Sequence, residues 1–156
     1  MSRRRSASKK PVKPDIKYAD QYVTRLINCI MRQGKIEIAR GIVYNAFDKI
    51  EKETGRPCVE VFREALENVR PLIQVRSRRV GGATYPVPME VRLDRSESLG
   101  LRWIVKSVRK RISRTAPDSL AKALLDSAKG VGEAIEERKK VHAMAEANKA
   151  FIHFRW

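Results

Sequence analysis

The chain has 156 residues, and its 34 lysines and arginines against 18 aspartates and glutamates give a formal net charge of +16. That length suits one domain with its own core, and 42% hydrophobic residues exclude a disordered chain. Two cysteines exclude a disulfide scaffold, no apolar run reaches the roughly 20 residues of a membrane span, and "MSRRRSASKKPVKPD" lacks the apolar stretch of a secretory signal.

Residues 1–17 read as a basic arm without periodicity, holding seven basic residues and one acidic, and residues 18–156 as a single helical domain. From Tyr18 apolar residues recur at helical spacing. "DQYVTRLINCIMRQG" aligns Tyr22, Val23, Leu26, Ile27, Ile30 and Met31 before Gly34. A second helix aligns Ala39, Ile42, Val43, Ala46, Phe47 and Ile50 and stops at Gly55. A third is expected to open at Pro57, turn Val61, Phe62, Ala65, Leu66 and Val69 inward, and end before Pro71.

The period then changes to two. "IQVRSRRV" and "ATYPVPME" flank Gly81 and Gly82, which predicts a two-stranded antiparallel ribbon over about residues 73–93. Pro86 and Pro88 lie two apart, so both missing N–H groups fall on one edge and keep further strands off it. The reading is a ribbon that projects from the globule and carries Arg76, Arg78 and Arg79 outward.

Helix resumes at Asp94, which with Glu97 has the pattern of an N-terminal capping box. Leu101, Ile104, Val105, Val108 and Ile112 make an apolar stripe. Arg95, Arg102, Lys106, Arg109 and Lys110 make a second, cationic one, and residues 102–114 contain six basic residues and no acidic one. Like charges at i, i+4 destabilise a helix, so a stripe without acidic neighbours in sequence points to an external polyanion. Trp103 on this helix reads as core rather than as a stacking platform. Pro117 opens a fifth helix, and a sixth is expected over about residues 134–152, leading into "FIHFRW". The fold class is therefore mainly α: about six helices, one protruding ribbon and a basic arm.

These stretches resemble a known family. "VRSRRVGGATYPVPMEVR", "LRWIVKSVRKR", "MAEANKAFIHFRW", "INCIMRQGK" and "EALENVRP" are similar, in order and spacing, to bacterial-type small-subunit ribosomal protein S-seven. The resemblance implies a structural protein that binds the 3′ major domain of small-subunit ribosomal RNA, helps nucleate assembly of the subunit head and reaches the exit site near transfer RNA and messenger RNA. It further implies the head proteins S-nine and S-eleven as neighbours, repression of its own message as a side role, and a ribosome in the cytoplasm, a plastid or a mitochondrion. The chain departs from the family pattern at Ile36, where a second basic residue is usual, at Pro86, and at the acidic pair Glu136–Glu137.

Ribosomal RNA contacts are expected from Arg3, Arg4, Arg5, Lys9, Lys10, Lys35, Arg95, Arg102, Lys106, Arg109, Lys110 and Arg111. The ribbon, through Arg76, Arg78, Arg79, Gly81 and Gly82, is expected to meet ribosomal RNA or exit-site transfer or messenger RNA. No cofactor is expected. Cys29, Cys58, His142 and His153 lack the short paired spacing of zinc ligands, and no nucleophile or phosphate-loop motif suggests an enzyme. The competing class is a DNA-binding protein that lays its basic helix in a major groove.

Overall fold

A computed structural model describes residues 11–111 and 115–155. The elements run α1 (Gln21–Ile30), α2 (Ile36–Thr54), α3 (Cys58–Val69), β1 (Ile73–Val80), β2 (Ala83–Glu90), α4 (Leu93–Lys110), α5 (Ala116–Ala128) and α6 (Glu133–Ala147), followed by a 3₁₀ helix (Lys149–Phe154). The fold is mainly α with one two-stranded sheet among the described residues.

The apolar faces of the six helices converge on one core. Val23, Leu26 and Ile27 of α1, Val43, Phe47 and Ile50 of α2, and Phe62 and Val69 of α3 are all buried. They pack with Leu101 and Ile104 of α4, Leu120 and Leu124 of α5, and Ile135 of α6. Trp103 packs against this core, partly buried. Full burial of each large aliphatic side chain contributes about 1.5–3 kcal/mol. Gly100 of α4 lets α3 and α4 approach closely, since a Cβ there would lie 3.1 Å from Leu66 Cδ1.

Buried polar groups fix how α1 meets its neighbours. Asp20 accepts the Tyr22 N–H at 2.7 Å as the N-cap of α1. Its other oxygen accepts Arg63 Nε at 3.0 Å and Nη2 at 2.6 Å. Glu97, buried in the first half of α4, accepts Tyr22 Oη at 2.8 Å and Arg25 Nη1 at 2.6 Å. The Glu97 carboxylate raises the Tyr22 phenol above its ordinary value and keeps it a donor. The Asp20 and Glu97 carboxylates are thus both paired, as burial demands. Asp15, across the expected arm boundary at residue 17, is also buried and accepts Tyr44 Oη at 3.0 Å, while Lys17 pairs with Asp48 at 3.0 Å.

The structure corrects several helix limits. Pro57 stands just outside α3, at its N-cap position. Asp94 and Glu97 do not form the expected capping box: α4 begins at Leu93 with Arg92 at the N-cap, and the Glu97 side chain is committed to Tyr22 and Arg25. The sixth helix stops at Ala147, and the chain tightens into the 3₁₀ helix instead of continuing to residue 152. Ile112 lies outside the described residues.

The ribbon pairs Ile73 with Glu90 through to Val80 with Ala83. Its two-residue turn places Gly81 at φ 57° and Gly82 at φ 90°, the left-handed pair that this turn requires. Pro86 and Pro88 oppose Ser77 and Val75 in the same register phase, and no third strand joins the sheet among the described residues. The ribbon is not free-standing, however. Val87 is fully buried, and α6 and the 3₁₀ helix pack against the strands. Tyr85 stacks on Phe154 with centroids 5.1 Å apart and touches Phe151 at 5.4 Å. His142 of α6 accepts the Leu72 N–H at 3.1 Å through Nε2, and burial lowers its pKa, which favours that neutral acceptor. A marginal hairpin gains its missing support in this way.

Candidate nucleic-acid interface

The cationic stripe of α4 faces solvent. Arg95, Arg102, Lys106, Arg109 and Lys110 are exposed, while Leu101, Ile104 and Val105 of the same helix are buried. Beside α1 the helix lines a groove. One hollow of about 450 Å³ lies among Cys29, Arg102, Val105, Lys106, Arg109 and Lys110. A second adjoins it through Cys29 and is lined by Arg25, Asn28, Asp94, Ser98 and Leu101. A third shares Arg102, Asp94 and Ser98 and adds Arg92 and Arg95.

Local contacts set the cations. Arg109 Nη2 donates to the Cys29 carbonyl at 3.2 Å, near the negative end of the α1 dipole. Arg102 has no hydrogen-bond or ion-pair partner among the described residues. The Cys29 thiol is half-buried in the groove floor, and burial pushes its pKa up against the opposing pull of Arg102 and Arg109. Lys35 is exposed in the turn between α1 and α2, where Gln33 and Gly34 both take positive φ. Ile36, the departure beside it, begins α2 and packs against the core.

The stripe does have acidic neighbours, contrary to the expectation from sequence. Lys106 Nζ lies 2.7 Å from Glu137 and Lys110 Nζ 3.5 Å from Glu133, both on α6. Arg111 pairs with Asp126 of α5 at 2.6 Å and is half-buried, so it ties α4 to α5. The physical reason is tertiary: α6 crosses beside α4 and supplies carboxylates that no local window of sequence contains.

The groove continues to the ribbon. Arg95 Nε donates to Gln74 Oε1 of β1 at 3.1 Å. Strand alternation puts Gln74, Arg76 and Arg78 on one face and Arg79 on the other. Lys110, Lys106, Arg102 and Arg95 thus follow one track along α4 that meets the ribbon at Gln74, while Arg76 and Arg78 share the Gln74 face with Val87 and Tyr85, and Arg79, Gly81 and Gly82 lie toward the tip. Arg92 and Arg25 line the groove and were missed in the sequence. Arg92 could have been found by its three-residue spacing to Arg95, whereas Arg25 has no local signal. Arg3, Arg4, Arg5, Lys9 and Lys10 lie outside the described residues. Of the nominal zinc set, Cys58 is buried in the core, His142 is bound to Leu72 and His153 Nδ1 lies 2.9 Å from the Ala150 carbonyl. Among the described residues no His, Cys, Asp and Glu cluster is placed to hold a metal, and no helix there is long and apolar enough to cross a membrane.

A row of exposed guanidinium and ammonium groups along a groove can hold successive phosphates and carries none of the machinery of covalent catalysis. The chain matches this chemistry to a lineage. Residues 2–149 match the family described as ribosomal protein S7p/S5e. The small ribosomal subunit protein uS7 of Rhodospirillum rubrum is 52% identical over 156 residues, and that of Paramagnetospirillum magneticum 51%, each covering all of both chains. That of Francisella tularensis subsp. holarctica is 53% identical over 157 residues, again over the whole of both chains. The chain belongs to the ribosomal protein S7p/S5e family, whose members are structural, RNA-binding constituents of the small ribosomal subunit and not enzymes. This membership replaces the DNA-binding alternative.

Proposed function

We propose that the α1–α4 groove and the ribbon face together hold folded small-subunit ribosomal RNA, with the protein working inside the ribosome of the cytoplasm. The observation that carries the reading is the cationic track from Lys110 to Arg95 along α4, which meets the ribbon at Gln74. Arg102, Arg109 and Arg95 contact phosphates at its centre, Lys106 and Lys110 at its α6 side, and Lys35 beyond the end of α1. The arm ahead of Asp15, with Arg3, Arg4, Arg5, Lys9 and Lys10, adds further phosphate contacts. Arg111 contributes mainly through Asp126. Recognition is by shape, because A-form helices withhold their base edges from side chains.

The family resemblance supports the finer placement. On this reading the RNA is the 3′ major domain, the protein takes part in nucleating the head, and the ribbon tip reaches toward exit-site transfer RNA and messenger RNA. Proteins S-nine and S-eleven are its proposed neighbours. The test is a salt titration of binding to a 3′ major domain fragment. If about six to ten phosphates are contacted, affinity falls by roughly 10³–10⁵ between about 50 and 200 mM salt. A nearly flat response would overturn the polyanion reading.

A further inference from the structure

We infer that Glu133 and Glu137 of α6 act as built-in phosphate mimics that occupy Lys110 and Lys106 and so make the groove selective for a folded RNA over an arbitrary polyanion. The inference rests on the proposed RNA-binding role of the groove and concerns how that site discriminates.

The two carboxylates are four residues apart on α6 and the two ammonium groups four apart on α4. Each pair therefore spans one helical turn, about 5–6 Å between Cβ atoms. The helices pack side by side, and the pairs meet in register: Glu137 with Lys106 at 2.7 Å and Glu133 with Lys110 at 3.5 Å. The Lys106 contact holds the Glu137 carboxyl below its ordinary range, with Lys140 and Lys110 adding to the effect, so it stays anionic. Both pairs are open to water: the lysine side chains are 57% and 64% exposed and the glutamates 29% and 49%. Exposed ion pairs of this kind are weak and exchange readily.

A strand that offers only a run of phosphates must displace the glutamates to reach these lysines, and gains little in the exchange. An RNA whose fold also fits Arg102, Arg109 and the ribbon face is anchored there and need not fully displace both glutamates. The penalty therefore falls hardest on the strand that depends on Lys106 and Lys110, and least on the well-fitting RNA. Like charges built into a site in this way set specificity by penalising the wrong partner.

The experiment compares wild-type protein with E133Q/E137Q and with E136Q/E146Q, which changes net charge equally on exposed positions of the same helix. Each is titrated with a single-stranded homopolymer, poly(U), and with the 3′ major domain fragment, after circular dichroism establishes equal helix content. In E133Q/E137Q, poly(U) binding tightens roughly three- to tenfold and its salt slope steepens by about one to two contacts. The fragment gains less, so the ratio of the two affinities falls. E136Q/E146Q shifts both ligands together and only slightly. Unchanged poly(U) affinity in E133Q/E137Q, or equal tightening of both ligands, overturns the inference. Should wild-type protein bind neither RNA in a salt-dependent way, the RNA-binding reading itself fails.

Discussion

With Arg102, Lys106, Arg109 and Lys110 all replaced by glutamine, the protein keeps its helical fold and loses most of its RNA affinity. Glutamine is a helix former comparable to lysine and arginine. The four side chains are exposed, and none belongs to the core formed by Leu101, Ile104 and Val105. Circular dichroism should therefore show helix content close to wild type. Hydrogen bonds to charged groups contribute about 1.5–3 kcal/mol each, so losing the Arg102 and Arg109 contacts alone costs about 3–6 kcal/mol. The salt slope should flatten by about two to three contacts, two of them from the arginines. Lys106 and Lys110 supply less than their charge suggests, because Glu137 and Glu133 already hold them. Their removal has a second cost: the two carboxylates then face incoming phosphates without neutralisation. An unfolded variant would show that the stripe serves the fold, and a folded variant with unchanged affinity would place the RNA on another face.

The second large effect is expected from the ribbon. Excising residues 76–90 and bridging the gap with a short glycine linker removes Arg76, Arg78, Arg79 and the turn at Gly81 and Gly82. The main core survives, since Val87, though fully buried, packs outside the cluster shared by α1 to α6. The C-terminus does not escape. Phe151 and Phe154 lose Tyr85, and Arg155 loses Glu90, its partner at 3.3 Å. The 3₁₀ helix should therefore loosen, which amide hydrogen exchange across residues 149–154 would register, while α1 to α5 exchange as before. Binding of the 3′ major domain fragment should persist, carried by α4. In assembled subunits, transfer RNA retention at the exit site and reading-frame accuracy should fall. Normal accuracy and retention in subunits that contain the shortened protein would remove the tip from that role.

The sequence made most of the core legible because the earlier helices carry an apolar period, which α6 lacks: Val61, Phe62, Ala65, Leu66 and Val69 were readable from spacing alone, and all are buried. The ribbon was readable for a similar reason, since a double glycine between alternating segments specifies a two-residue turn. What escaped was tertiary. Glu97 has the spacing of a capping residue, yet its side chain reaches α1, more than 70 positions away in sequence, because Tyr22 and Arg25 compete for it. The basic helix lacks local acids, yet α6 brings Glu133 and Glu137 alongside it. The C-terminal aromatics showed no periodicity, and only the folded chain reveals Tyr85 as their partner. Of the candidate site, the α4 cations were visible as a stripe. Their junction with the ribbon through Arg95 and Gln74, and the entry of Arg92 and Arg25 into the groove, depend on how the elements meet.

The central claim is that RNA occupies the α4 face, and lysine acylation read by mass spectrometry, with and without the 3′ major domain fragment, tests it most directly. Lys106, Lys110 and Lys35 are exposed beside the proposed track, whereas Lys52 of α2 and Lys122 of α5 are exposed on other helices. The account predicts that RNA shields Lys106, Lys110 and Lys35 from the reagent and leaves Lys52 and Lys122 reacting as in the free protein. Shielding of Lys52 and Lys122, with Lys106 and Lys110 still reactive, would contradict it.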